Sequence, residues 1–212
     1  MREGDARRLI LPLAVLLCLF FLTSCAPGPY LVYSPVDSSF ALVPRSFLPP
    51  SDTSAAPLPI PQDWEVVDAD FADVTGDGAA EWILVVRRPW RDWPIMAWHG
   101  GTSPIAEFRD REGTSSHLIV MTPDGREIWA GSALPRPMRA IAAGDIDSDG
   151  AAEVVTLEGE YREGPSRPAR FIDVWKWDVF GFVLVHRSEE GSFRELGLCD
   201  TDNDGIVNII IR

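Results

Sequence analysis

Asp145-Ile146-Asp147-Ser148-Asp149-Gly150-Ala151-Ala152-Glu153 runs directly into Val154-Val155-Thr156-Leu157. Acids stand at positions 1, 3, 5 and 9 of this stretch, and a glycine stands at position 6. In a tight loop, alternate side chains turn inward, and glycine at position 6 permits the sharp turn that brings them together. Four carboxylates so close would repel one another without a cation. A hard cation such as calcium takes six to eight oxygens at about 2.3–2.6 Å. Here Asp145, Asp147, Asp149 and Glu153 would offer side-chain oxygens, and Ala151 a backbone carbonyl.

The pattern occurs twice more. Asp73, Thr75, Asp77, Ala79 and Glu81 hold the equivalent places around Gly78, and Asp200, Asp202, Asp204, Ile206 and Asn208 hold them around Gly205. Thr75 puts a neutral hydroxyl at position 3 of the first copy, and Asn208 a neutral amide at position 9 of the third. The middle loop, with four acids, is therefore expected to bind best. A helix-flanked calcium loop would need an acid at position 12, where this chain has Leu84, Thr156 and Ile211. After position 9 come Trp82-Ile83-Leu84-Val85-Val86, Val154-Val155-Thr156-Leu157 and Ile209-Ile210-Ile211, which read as buried strands. Upstream, Phe71, Ala143 and Leu198 stand two before each loop, and Ala69, Ile141 and Leu196 four before, the period of a strand on a core. The residue just before each loop is Ala72, Gly144 or Cys199, a place for a small buried side chain. Each loop thus joins strand to strand.

A strand–DxDxDGxxE–strand unit resembles the FG-GAP or VCBS repeat of integrin-type β-propellers and bacterial surface proteins. The resemblance covers residues 64–212 and implies an all-β fold, calcium as a structural ligand and a role in binding or adhesion. Second hairpins are expected at Leu118–Met121 with Glu127–Trp129, and at Phe171–Trp177 with Phe182–Val185. From Asp73 to Asp145 is 72 residues and from Asp145 to Asp200 is 55, and the excess falls in an insertion of about Arg87 to Gly113. Two units and a terminal hairpin are too few for the four to eight blades of a closed ring. An incomplete, propeller-like array of antiparallel blades is expected: open, or half of an assembly, with pairing of two copies through sheet edges as one way to cover them.

The N-terminus reads as an address. Arg2, Arg7 and Arg8 precede the apolar stretch Leu9–Leu22, a signal peptide over residues 1–24. Leu22-Thr23-Ser24-Cys25 resembles the bacterial lipobox, which implies lipidation of Cys25 and a chain held extracytoplasmically at the cell envelope. Ala26 after it implies the outer membrane if the host has one. Residues 25–63 are rich in Pro and Ser and read as a tether. Two apolar islands interrupt it, Tyr30–Tyr33 and Phe40–Val43. The unfinished third unit leaves a bare apolar edge; one or both islands are expected to return and pair with it, the alternative being a tether throughout.

Charge and motifs exclude several classes of function. With 19 Lys+Arg against 32 Asp+Glu, a net charge of -13, the chain is a poor binder of nucleic acid or anionic lipid. It has no nucleophile elbow, phosphate loop or HExxH, and its acids are largely consumed by the three loops. Arginines are scattered along the chain with Lys176 the sole lysine, so no basic patch is legible. His117 and His186 read as structural, Cys199 as a small structural side chain, and Trp175 and Trp177 as one packed strand face. No enzyme is expected. The alternative is a glycan-directed enzyme or accessory working through the Trp-rich insertion 87–113, where Trp90, Trp93 and Trp98 are candidate ligand contacts; a further one is a decayed piece of a longer propeller. An unknown protein or glycan is the expected partner.

Overall fold

The computed structural model describes residues 30–42, 58–91 and 103–212; residues 1–24, expected as a signal peptide, and Cys25, Trp93 and Trp98 lie outside these residues. The described chain is all-β: twelve strands in three antiparallel four-stranded sheets, with no helix. The first sheet runs in order β3 (Glu65–Ala72), β4 (Glu81–Pro89), β5 (Thr114–Met121), β6 (Glu127–Ala130). The second runs β7 (Met138–Gly144), β8 (Glu153–Glu158), β9 (Phe171–Asp178), β10 (Gly181–Arg187). In the third, β11 (Leu196–Cys199) and β12 (Asn208–Ile211) are joined by β1 (Leu31–Ser34) and β2 (Ser39–Leu42), in order β11-β12-β1-β2.

The continuous apolar runs after each loop are explained by burial on both faces. Along β4, Ile83 and Val85 face the second sheet and meet Met138, Ile141 and Val154, while Leu84 and Val86 pack under Leu58, Ile60 and Trp64. Along β8, Val154 faces the first sheet, whereas Val155 and Leu157 face the third and meet Tyr33, Ile209 and Ile211. Each such fully buried aliphatic side chain contributes about 1.5–3 kcal/mol relative to exposure. The segment just before β3 thereby closes the outer face of the first sheet.

The first strands of neighbouring sheets also lie side by side. β7 is an edge strand, so part of its backbone has no ladder partner. Asp68 and Asp70 of β3 supply one: Ile141 N donates to Asp68 Oδ2 at 3.0 Å and Ala143 N to Asp70 Oδ2 at 2.7 Å. Gly144 lets the third sheet approach, since a Cβ there would meet Leu198 Cδ1 at 3.0 Å.

Of the two readings of the apolar islands, the strand reading holds for residues 31–42. β1 pairs with β12 from Leu31↔Ile211 to Tyr33↔Ile209, and with β2 from Leu31↔Leu42 to Ser34↔Ser39. Part of the segment expected as a tether therefore completes the third sheet. The reason is the edge of β12, whose three isoleucines need a partner strand; Tyr33, 1% exposed, fills the core beside them.

Candidate metal centre

All three acidic loops leave the C-terminal end of a first strand, so they share one end of the molecule. Ala152 N donates to the Asp73 carbonyl at 2.7 Å, tying the second loop to the first. Their internal geometry repeats. At position 1, Asp73 accepts from Gly76 N and Gly78 N at 2.7 Å each, Asp145 from Asp149 N and Gly150 N at 3.1 and 3.0 Å, and Asp200 from Asp204 N and Gly205 N at 3.3 and 2.9 Å. At position 5, Asp77, Asp149 and Asp204 accept the amides of Ala79, Ala151 and Ile206 at 2.8, 3.1 and 2.8 Å. At position 9, Glu81, Glu153 and Asn208 reach back to the amides of Val74, Ile146 and Thr201, each at 3.1 Å. Thr75 Oγ1 donates to Glu81 Oε1 at 3.2 Å, so the neutral position 3 is still drawn into its cluster.

The turn needs two left-handed residues. The position-6 glycines Gly78, Gly150 and Gly205 have φ of 88°, 96° and 87°. Position 4 is left-handed as well, at Gly76, Ser148 and Asn203, with φ of 72°, 61° and 59°. Glycine and asparagine tolerate this conformation, serine less so.

In the first loop, oxygens of Asp73, Asp77 and Glu81 lie within 4.8 Å of one another, as do those of Asp200, Asp202 and Asp204 in the third. Among the described residues none of these six pairs with a cationic side chain. Glu81 is only 3% exposed, and burial pushes its carboxyl up. In the third loop the amide of Gly205 holds Asp200 below the ordinary range. Such all-oxygen clusters are able to hold a metal ion, and their hard oxygen donors suit a hard cation.

The second loop differs. Asp145, Asp147 and Glu153 form the same kind of cluster, but Lys176 reaches into the loop from β9. Its Nζ donates to Asp149 Oδ2 at 2.6 Å and Asp147 Oδ2 at 2.7 Å, and stands 3.0 Å from Glu153 Oε1. The last contact lacks hydrogen-bond geometry and is Coulombic, which leaves Glu153 Oε1 without a hydrogen bond although Glu153 is 2% exposed. Its bonds to Asp147 and Asp149 hold the ammonium above the ordinary lysine range, and the lysine in turn holds Asp149 low. The only lysine in the chain thus sets its ammonium among the carboxylates of the loop expected to bind best.

The remaining candidates fall elsewhere. Trp90 is tied into its loop, with Nε1 donating to the Ile105 carbonyl at 3.0 Å and Arg109 lying 4.5 Å over its ring. Trp175 and Trp177 pack in the core between the first two sheets, and Trp177 meets Trp129 and Phe182 edge-on. Cys199 is half-buried rather than buried. His117 bridges Ser115 Oγ at 2.7 Å and the Gly131 carbonyl at 2.9 Å, and burial pushes its pKa down to about 4. His186 meets the Tyr33 hydroxyl at 2.5 Å.

Sequence reasoning missed one carboxylate pair. Glu158 and Asp173, both fully buried, are bound by Arg187, with Nη2 at 2.6 Å from Glu158 and 2.7 Å from Asp173. Burial and the neighbouring Asp173 push Glu158 up to about 8. With no exposed surface, the pair serves the core and not a substrate. The signal for it was Glu158 at the end of a buried run and Asp173 inside another. Across protein-family models, characterised proteins and solved structures, none matches this chain.

Proposed function

We propose that this chain is a lipid-anchored, extracytoplasmic, calcium-binding β-repeat protein of the FG-GAP/VCBS kind, acting in surface binding, adhesion or scaffolding rather than catalysis. Its three sheets form an incomplete propeller-like array, and the loops between first and second strands take calcium. The observation that carries this reading is the first and third loops: each gathers three carboxylates within 4.8 Å, and among the described residues no cationic side chain pairs with them. Asp73, Thr75, Asp77 and Glu81 would hold one ion, and Asp200, Asp202, Asp204 and Asn208 another. Lys176 serves in place of a metal in the middle loop, so two ions are bound and not three. Bound calcium supplies the charge that lets these loops keep their turns; the loops in turn fix the ends of β3, β4, β11 and β12. Cys25 carries the lipid that holds the array at the envelope, on the outer membrane where there is one. The partner is a protein or a glycan.

Calcium titration of the mature protein tests this. Ions that bind only the folded state raise the melting temperature with concentration, with affinity in the extracellular range of about 10⁻⁴–10⁻³ M. Identical melting curves in calcium and in chelator would remove the metal from the reading.

A further inference from the structure

The end of the molecule opposite the acidic loops carries a cleft of about 500 Å³, between the start of β3 and the end of β4 on one side and the start of β7 and the β8–β9 loop on the other. Its volume lies in the range of small-molecule sites. Val67, Met138 and Tyr161 give it an apolar wall. Charged residues of both signs line the rest, but they are not equally committed. Arg87 is taken by Asp110 and, at 3.6 Å, by Glu65; Glu163 is taken by Arg170 at 2.5 Å. Arg111, Arg139 and Arg162 form no ion pair among the described residues, and of the cleft's acids Glu112 alone is equally free.

Arg139 is the most constrained of the three. Its guanidinium lies on Gly159, where a Cβ would stand 2.2 Å from Nε. Nη1 donates to the Pro168 carbonyl at 3.1 Å, while Nη2 is buried without a hydrogen-bond partner. In a chain with a net charge of -13, three guanidiniums without an ion pair among the described residues line one concave place. Guanidinium forks match carboxylate and phosphate oxygens. Arg111 belongs to the insertion, so that segment contributes to the cleft through its arginine.

We propose that this cleft binds a small organic anion of about monosaccharide size, its carboxylate or phosphate held by Arg111, Arg139 and Arg162 and its ring or apolar side against Val67, Met138 and Tyr161. The inference does not depend on the metal reading, because cleft and loops lie at opposite ends of the strands.

The test titrates the full mature chain with glucuronate, glucose 6-phosphate and, as the neutral control, glucose. At least one anion is expected to bind, weakening as salt rises, and glucose is not. Binding of glucuronate alone assigns a carboxylate ligand, and binding of the sugar phosphate alone a phosphate ligand; either supports the site. The double variant Arg111→Gln/Arg162→Gln changes two exposed side chains that form no ion pair among the described residues, so its melting temperature should match the wild type. Its anion affinity should fall at least about tenfold, equivalent to roughly 1.4 kcal/mol. No anion binding up to about 10 mM, tenfold weaker than the roughly 4.1 kcal/mol of a 1 mM site, equal binding of glucose, or undiminished binding by the double variant would each overturn the proposal.

Discussion

Replacing Lys176 by Met removes the cation from the middle loop while keeping most of the stem that crosses to it. Glu153 bears the largest consequence, because it is 2% exposed and its Oε1 has no hydrogen bond to fall back on. Leaving a buried acceptor without its partner costs about 1–3 kcal/mol. Asp147 and Asp149 are about half exposed, at 51% and 46% of their side chains, so water screens their loss and adds little. For a chain of this size, 1 kcal/mol shifts the melting temperature by about 2–4 °C. In chelator, Lys176→Met should therefore melt about 2–12 °C below wild type, taking both ranges together. In calcium the vacated loop should become a metal site. At 10–100 times the dissociation constant, one such ion returns about 1.4–2.7 kcal/mol, so most of the deficit should disappear. Calorimetric titration should count two ions for wild type and three for the variant. Three ions bound by the wild type, or a variant as stable as wild type in chelator, would refute the view that the ammonium stands in for metal.

Four further outcomes are expected. Cys25→Ala should release the protein from membranes or leave it unprocessed, as fractionation and mass analysis would show; wild type found wholly soluble and without acyl groups would end the lipoprotein reading. Tyr33→Ala should lose about 3–5 kcal/mol in denaturant unfolding, the cost of truncating a buried aromatic, and amides of residues 31–33 should exchange slowly in the wild type. Glu158, pushed up to about 8 by burial and Asp173, keeps a proton in the folded chain that the unfolded chain has released; stability should be full below about pH 4.5 and fall as pH rises toward 8, and Glu158→Gln should flatten that fall. His117, pushed down to about 4, refuses a proton that the unfolded chain accepts, so its contribution should be full above pH 6.5 and lost as pH falls toward 4; NMR titration should find its imidazole neutral at pH 5.5.

The strands around each acidic loop, the turns themselves and the two outer hairpins were legible in the residues. Their determinants are local: an alternating acidic spacing, a glycine that must take positive φ, and β-branched runs of strand length. Position 4 was half legible, since Gly76 and Asn203 advertise a left-handed residue and Ser148 does not. The return of β1 to β12 was readable only as a need, an apolar edge without a partner, because nothing in Leu31-Val32-Tyr33 names the strand it will join.

Tertiary structure alone decided the cations. Lys176 is 23 residues beyond Glu153, and only the β8–β9 pairing, which sets Val154 opposite Trp175 and Val155 opposite Val174, carries its side chain back to the middle loop. Arg111, Arg139 and Arg162 look dispersed in sequence, yet the packing of the first sheet on the second gathers them at one cleft. Spacing within a loop is dictated by bond geometry over a few residues. Which charge meets which loop depends on strand register and sheet stacking, and those are set by burial summed over the whole fold.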